Sequence, residues 1–319
     1  MGYGEVAASA EDGVRIGLMI EGQNGLNWDR WKRILAVAEE AGFESVSRSD
    51  HFTNPQGPDK DSLALWPSLT YAASHTARLR FGPLVTPVTF RLPAITIKDA
   101  AAVHDLSGGR LVLGLGIGWQ DREHHDWGIP FPDVDSRYGM LRDELEIVRR
   151  IFRTRGPVTY QGKYFQVHGA ELLPHPVNGG PPILIGGNGP TRTLPLAAEF
   201  ADEWNAVFVS PQRFRDLSSR LDALLDEYGR APGDVTRSVM VGTLLAANEQ
   251  DLADRVQARG RTLDELRVRG VIAGTPVMWV EELQSYADAG AERIMLQWLD
   301  LDDIAGIQAV AREVLPAFA

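Results

Sequence analysis

Eight apolar runs of strand length alternate with helical patterns along the chain, and no break in composition separates them. No Gly-x-Gly-x-x-Gly turn follows the first run, which continues Ile20-Glu21-Gly22-Gln23. Together these features predict α/β architecture as a single (β/α)8 TIM barrel rather than an open doubly wound sheet. A length of 319 residues, 44% of them hydrophobic and 24% charged, suits one large core of this kind.

Val14–Ile20 reads as the first strand. Asn27 caps a helix over Trp28–Ala41, and Gly42 stops it. Phe43–Ser49 is the second strand and runs into Asp50-His51-Phe52. A Pro/Gly loop over Asn54–Asp59 precedes a helix near Ser62–Ser74. Leu79–Val85 is the third strand, and Pro93 opens a helix that runs to Leu106. Gly108–Trp119 is the fourth strand. Leu111, Leu113, Leu115 and Ile117 share one face, and Val112, Gly114, Gly116 and Gly118 share the other.

A loop over Trp119–Asp135 leads into a helix over Arg137–Phe152. Val158–Val167 reads as a small hairpin turning at Gln161-Gly162. It falls outside the alternation, so residues 153–180 are expected to form an insertion after the fourth helix. Pro181–Gly187 is the fifth strand and Thr191–Ala201 its helix. Glu203–Phe208 is the sixth strand, and Ser210-Pro211 opens the helix to Tyr228. Arg237–Ala246 is the seventh strand, followed by a helix capped at Asn248. Gly260–Ala273 reads as helical and mobile. Thr275-Pro276 opens a helix ending at Gly290, Arg293–Gln297 is the eighth strand, and Asp302–Leu315 is a closing helix. Residues 1–12 read as a flexible tail and 13–319 as the barrel domain.

The formal net charge is -11, with only four lysines and no basic patch, so nucleic acid is not an expected partner. No apolar run is long enough to span a membrane. The N-terminus lacks the basic and apolar zones of a signal peptide, which predicts a cytoplasmic protein. The absence of cysteine excludes disulfides and thiolate chemistry.

A barrel of this type binds its ligands at the C-terminal ends of the strands. His51 stands at such an end and exchanges a proton near neutral pH. Asp50 either fixes its tautomer or holds a position of its own. A hydrogen-bonded packing histidine is the plainer reading. The glycines of the fourth strand strip one face of side chains, either to make a wall for a flat ligand or to relieve crowding in the barrel. At the fifth end, Gly186-Gly187-Asn188-Gly189-Pro190-Thr191 directly precedes a helix. Positive φ there turns backbone N–H groups inward and makes an anion site suited to phosphate, unless the turn binds nothing. Glu123-His124-His125-Asp126 lacks the HExxH order, and no metal site is expected. Trp119 and Trp127 are placed to line a pocket above the mouth.

Ser49-Asp50-His51-Phe52, Leu84-Val85-Thr86-Pro87-Val88-Thr89-Phe90-Arg91, Leu106–Leu111, Gly114–Trp119 and Pro182–Gly187 together resemble the luciferase-like monooxygenase superfamily. Gly162-Lys163-Tyr164-Phe165 and Ala201-Asp202-Glu203-Trp204 fit the same pattern, and the resemblance runs from Val14 to Leu299. Within the superfamily the chain is most similar to the oxidoreductases dependent on the deazaflavin coenzyme F420. The resemblance implies a deazaflavin ring at the barrel mouth and a non-prolyl cis peptide at Leu84-Val85 behind it. It places the cofactor phosphate near Gly187–Thr191, and His51 near the redox carbon.

The cofactor contacts it implies are Leu84, Val85, Thr86, Gly116, Gly118, Trp119, Gly186, Gly187, Asn188, Gly189 and Thr191. Catalysis falls to His51 and Asp50, with Arg48 as a further tuning partner. A small-molecule substrate and a homodimer are expected. Reduced FMN with oxygen, in a monooxygenase, is the alternative, and non-catalytic flavin binding is a second. Sugar-phosphate dehydrogenases of the family carry a glutamate just after the fourth-strand glycines. Gly118-Trp119 stands there instead, which favours an apolar substrate.

Overall fold

The computed structural model describes residues 13–318, so the expected tail at 1–12 lies outside the described residues. The first half of the chain contains β1 (Arg15–Ile20), α1 (Trp28–Ala41), β2 (Ser45–Arg48), α2 (Leu65–His75), β3 (Arg80–Pro83), β4 (Thr86–Pro87) and α3 (Pro93–Leu106). Then come β5 (Leu113–Gly116), α4 (Asp121–Asp126), α5 (Val134–Arg153), β6 (Val158–Gln161) and β7 (Gln166–Ala170). The second half continues with β8 (Ile183–Gly186), α6 (Thr193–Phe200), β9 (Glu203–Val207), α7 (Pro211–Glu227) and β10 (Thr236–Leu245). It ends with α8 (Glu249–Ala258), α9 (Leu263–Val268), β11 (Val271–Gly274), α10 (Pro276–Asp288), β12 (Arg293–Trp298) and α11 (Ile304–Glu313).

Polar caps set the helix starts. The Asn27 side chain accepts the Arg30 N–H at 3.1 Å, Ser210 that of Arg213 at 3.3 Å, and Asn248 that of Asp251 at 3.0 Å. Gly42 ends α1 at φ 90°, a conformation that glycine adopts without steric cost.

The strands pair in parallel in the order β3-β2-β1-β12-β10-β9-β8-β5-β4, with β11 beside β10. A parallel bridge between Phe81 and Leu111 brings β3 against the start of β5 and all but closes the barrel. Alternation decides which residues face the helices. Leu113 and Leu115 of β5 join the large core between strands and helices, while Gly114 and Gly116 face inward. A smaller cluster of Met19, Leu84, Val112, Leu184, Met240 and Met295 fills the barrel interior. Below it, at the N-terminal end, Arg293 is buried and ion-paired to Glu203, and it donates to Glu44 at 2.9 and 3.0 Å.

Four stretches differ from the sequence expectation. The third strand is interrupted into β3 and β4 by the cis peptide Leu84-Val85, the bond that the family resemblance implies. The fourth strand is regular only over Leu113–Gly116. The expected loop before α5 contains α4, whose six residues show no apolar periodicity but place acids in the first turn and histidines in the last. Gly260–Ala273 holds α9 and most of β11, because the ten-residue β10 outruns β12 and pairs with β11 over Gly242–Leu245. The hairpin forms, with β6 antiparallel to β7. No helix among the described residues is long and apolar enough to cross a membrane.

Candidate active site

A cavity of about 440 Å³ opens at the C-terminal ends of the strands. His51, delivered by the end of β2, is at its rim. Its Nδ1 lies 2.8 Å from Oε1 of Glu123 on α4, and Oε2 of Glu123 accepts the Phe52 N–H at 2.9 Å. The buried Glu123 carboxylate thus fixes both the ring and the backbone that follows it, leaving Nε2 to meet a molecule in the cavity. Burial pulls the imidazole toward its neutral form. The hydrogen bond and charge of Glu123, helped by Glu21 and Asp50, outweigh burial and raise the pKa above the ordinary value of 6.5. Trp119 packs edge-on against His51 at 5.4 Å and remains 62% exposed.

Asp50 is not the partner of His51. Its carboxylate accepts the Thr86 hydroxyl at 2.7 Å and is ion-paired with Arg91. Both Asp50 and Thr86 are buried, and neither lines the cavity; Asp50 acts on His51 through its charge alone. Arg48 turns away too, donating to the Ser68 hydroxyl and the Leu63 carbonyl, both at 2.6 Å. Burial pushes its guanidinium down to about 10, against the pull of Asp50.

Leu84 and Val85 line the cavity with Gly116, Gly118, Gly186 and Gly187. The inward glycines serve Val85 first. A β carbon on Gly116 would lie 2.5 Å from Val85 Cγ2, and those on Gly114 and Gly186 would lie 3.1 and 3.2 Å from Cγ1. At Gly114 the tighter limit is the Pro83 carbonyl oxygen, 2.1 Å from such a carbon, so the bare face relieves crowding around both Val85 and the backbone before it. Val85 and the glycine backbone beside it share the wall.

The fifth-strand turn differs in detail from expectation. The Gly187 N–H is taken by the Asn205 carbonyl, and the Asn188 side chain is bonded to both backbone groups of Val207. The helix starts at Thr193 rather than Thr191. Among the described residues the N–H groups of Asn188, Gly189, Thr191 and Arg192 have no protein acceptor. Beside them lie the hydroxyls of Tyr138 and Thr193, 3.0 Å apart. An anion there would meet several donors at a helix start.

Glu21, Tyr138, Thr193, Phe208 and the role of Glu123 escape the sequence reading. Glu21 ends the first strand, where the strand-end rule applied equally. Its carboxylate accepts from Gln23 at 3.0 Å and from Gln297 at 2.7 Å. In the Glu123-His124-His125-Asp126 run, both ring nitrogens of the buried His124 are engaged, by Thr89 and by the Gln120 carbonyl, each at 2.7 Å.

The parallel barrel thus brings together an aliphatic cavity at its mouth, a histidine held on the rim by a buried carboxylate and a donor-rich turn at the end of β8. The chain belongs to the luciferase-like monooxygenase family, whose description fits residues 13–271. A Mycobacterium tuberculosis protein that carries the name coenzyme F420-dependent oxidoreductase is 30% identical over 235 residues, 70% of this chain and 62% of that protein. The chain thus spans less than two thirds of that relative's length. An F420-dependent glucose-6-phosphate dehydrogenase of Intrasporangium calvum is 26% identical over 313 residues, 88% of this chain and 91% of that one. An F420-dependent secondary alcohol dehydrogenase, solved with an F420-acetone adduct, superposes with a TM-score of 0.84 at 20% identity, covering 96% of this chain and 99% of that one. That likeness supports the barrel fold.

Proposed function

We propose that this protein is an oxidoreductase that uses coenzyme F420 to exchange a hydride with a small organic substrate, His51 giving or taking the accompanying proton. The observation that carries the reading is the His51–Glu123 pair at the rim of the cavity, with Val85 beneath. The names of the relatives above support the choice of cofactor.

The residues present fit the group. Val85, Leu84, Gly116 and Gly186 offer an aliphatic surface to a flat ring, and the N–H groups from Asn188 to Arg192 offer donors to its phosphate. When bound, the deazaflavin supplies or accepts the hydride. Glu123 orients the imidazole and favours its protonated form. His51 Nε2 holds or moves the proton at the substrate oxygen, and Trp119 and Phe208 restrict water at the mouth.

Absorbance titrations of the purified protein with F420 and with FMN test the cofactor. Tighter binding of F420, followed by oxidation of its reduced form with a carbonyl compound, is the expected result. Preference for FMN with oxygen consumption would transfer the protein to the monooxygenases.

A further inference from the structure

Resting on that reading, we infer that the substrate carries an anionic group, a carboxylate or phosphate, held by Arg259 and Arg269 in a neighbouring cavity that shares Phe208 with the main one. The side cavity has a volume of about 520 Å³ and is lined by Phe208, Thr243, Arg259, Arg269, Gln297 and Leu299 among others. It adjoins the main cavity. Phe208 lines both, and the Gln297 amide reaches Glu21 of the main cavity at 2.7 Å. Gly270 fixes the position of Arg269. Its φ is 67°, and a β carbon there would lie 2.6 Å from the Phe208 carbonyl carbon, so the two backbones touch where only glycine fits.

The chain as a whole is acidic, yet these two guanidinium groups have no carboxylate partner within 4 Å among the described residues. Arg259 makes one long contact, to the Thr243 carbonyl at 3.4 Å. The nearby carboxylates each accept a closer donor, although Arg269 still adds to the positive charge that holds the Glu265 pKa down after its bond to the Thr262 backbone. Asp251 holds Arg255 at 2.7 Å, Glu265 accepts the Thr262 N–H at 2.8 Å, and Asp303 accepts that of Gly306 at 2.8 Å. Asp300 accepts the Asp302 N–H at 3.1 Å. A guanidinium fork matches the oxygens of a carboxylate or phosphate, and two of them line this cavity. Leu299, Val271 and Val268 supply apolar sides for the chain joining that group to the reacting carbon. The turn at Asn188–Arg192 lies on another strand end and remains available to the cofactor, so the mouth has two separate anion positions. An acidic, otherwise apolar substrate replaces the wholly apolar one that Gly118-Trp119 suggests.

Inorganic phosphate is the probe. Arginines are modified with phenylglyoxal and the sites mapped by mass spectrometry, with exposed Arg155 as the internal control. Saturating phosphate is expected to slow modification of Arg259 and Arg269 by about tenfold, the effect of one charge-assisted hydrogen bond, and to leave Arg155 unchanged. Equal rates with and without phosphate at both residues overturn the inference. F420 is then titrated into the Arg259→Gln/Arg269→Gln protein. Affinity within about twofold of the parent assigns the site to substrate. A loss of about tenfold would give the anion to the cofactor and overturn the assignment. Failure of the parent protein to bind F420 would instead remove the oxidoreductase reading, and the phosphate protection is read independently of it.

Discussion

At His51 two opposing effects set the proton affinity, and the charge of Glu123 outweighs burial. The pair stabilises the fold fully below the ordinary histidine value of 6.5, and this contribution is lost as pH rises through the raised native value. Glu123→Gln should therefore cost about 1–3 kcal/mol at about pH 5 and distinctly less at about pH 9. Urea melts at the two pH values measure this, and an NMR titration should show His51 titrating lower in the variant. Equal losses at both pH values would show that Glu123 acts only through the Phe52 N–H. His51→Ala should lower kcat by about 10²–10⁴-fold with little change in F420 affinity, because the ring wall and the anion turn come from other strands. A variant with normal turnover, or one that loses affinity alone, would take His51 out of the chemistry.

Among the elements, β5 and β8 depend on a side chain from neither of them. Val85 fills the space that Gly116 and Gly186 leave, and the Pro83 carbonyl oxygen that at Gly114. Gly116→Ala should destabilise the protein by about 1–3 kcal/mol through overpacking, and weaken cofactor binding with it. Val85→Ala in the same chain should restore most of both. Paired urea melts and cofactor titrations read the coupling, and a single variant as stable as the parent would show that Val85 yields freely. At the β8 turn, a deazaflavin lacking its phosphate should bind about 1.5–3 kcal/mol more weakly, the scale of one or two charge-assisted hydrogen bonds. Equal affinity for the two forms would empty the turn of function. The glycine spacing was visible in the chain, but its occupant was not, since parallel pairing brings Val85 across from a different strand. Likewise Asp50 is next to His51 in sequence and points elsewhere, whereas Glu123 reaches it from a polar helix that no periodicity announces.

The whole barrel divides its labour between its two ends. The mouth carries the candidate chemistry, while the floor is closed by Arg293, on which burial acts first but which Glu203 and Glu44 hold charged, its pKa raised. Arg293→Met would leave the buried Glu203 without its cation and the half-buried Glu44 with only Arg80, 4.0 Å away, and should cost about 3–5 kcal/mol in a urea melt, without altering the cofactor titration at permissive concentrations of urea. A loss within error of zero would mean that water replaces the guanidinium. Most strands and capped helices were legible because alternation, Asn and Ser caps and terminal glycines are local signals. The short α4 and β11 were not, because their stability comes from neighbours distant in sequence.

Trp119, Glu123 and Trp127 lie on one short segment between β5 and α5; Trp119 lines the cavity, whereas Trp127 is 64% exposed and packs on Phe52 instead. That segment is fastened to the loop after β2 by Arg122 on Asp59, at 2.6 and 2.9 Å, and by Gln120 on Thr53 at 2.9 Å. On the proposed function, the Trp119 wall beside the substrate and the carboxylate that tunes His51 are thus inherited as a single module. Descendants of this chain cannot broaden their diet by remodelling the segment without also resetting the pH at which they work.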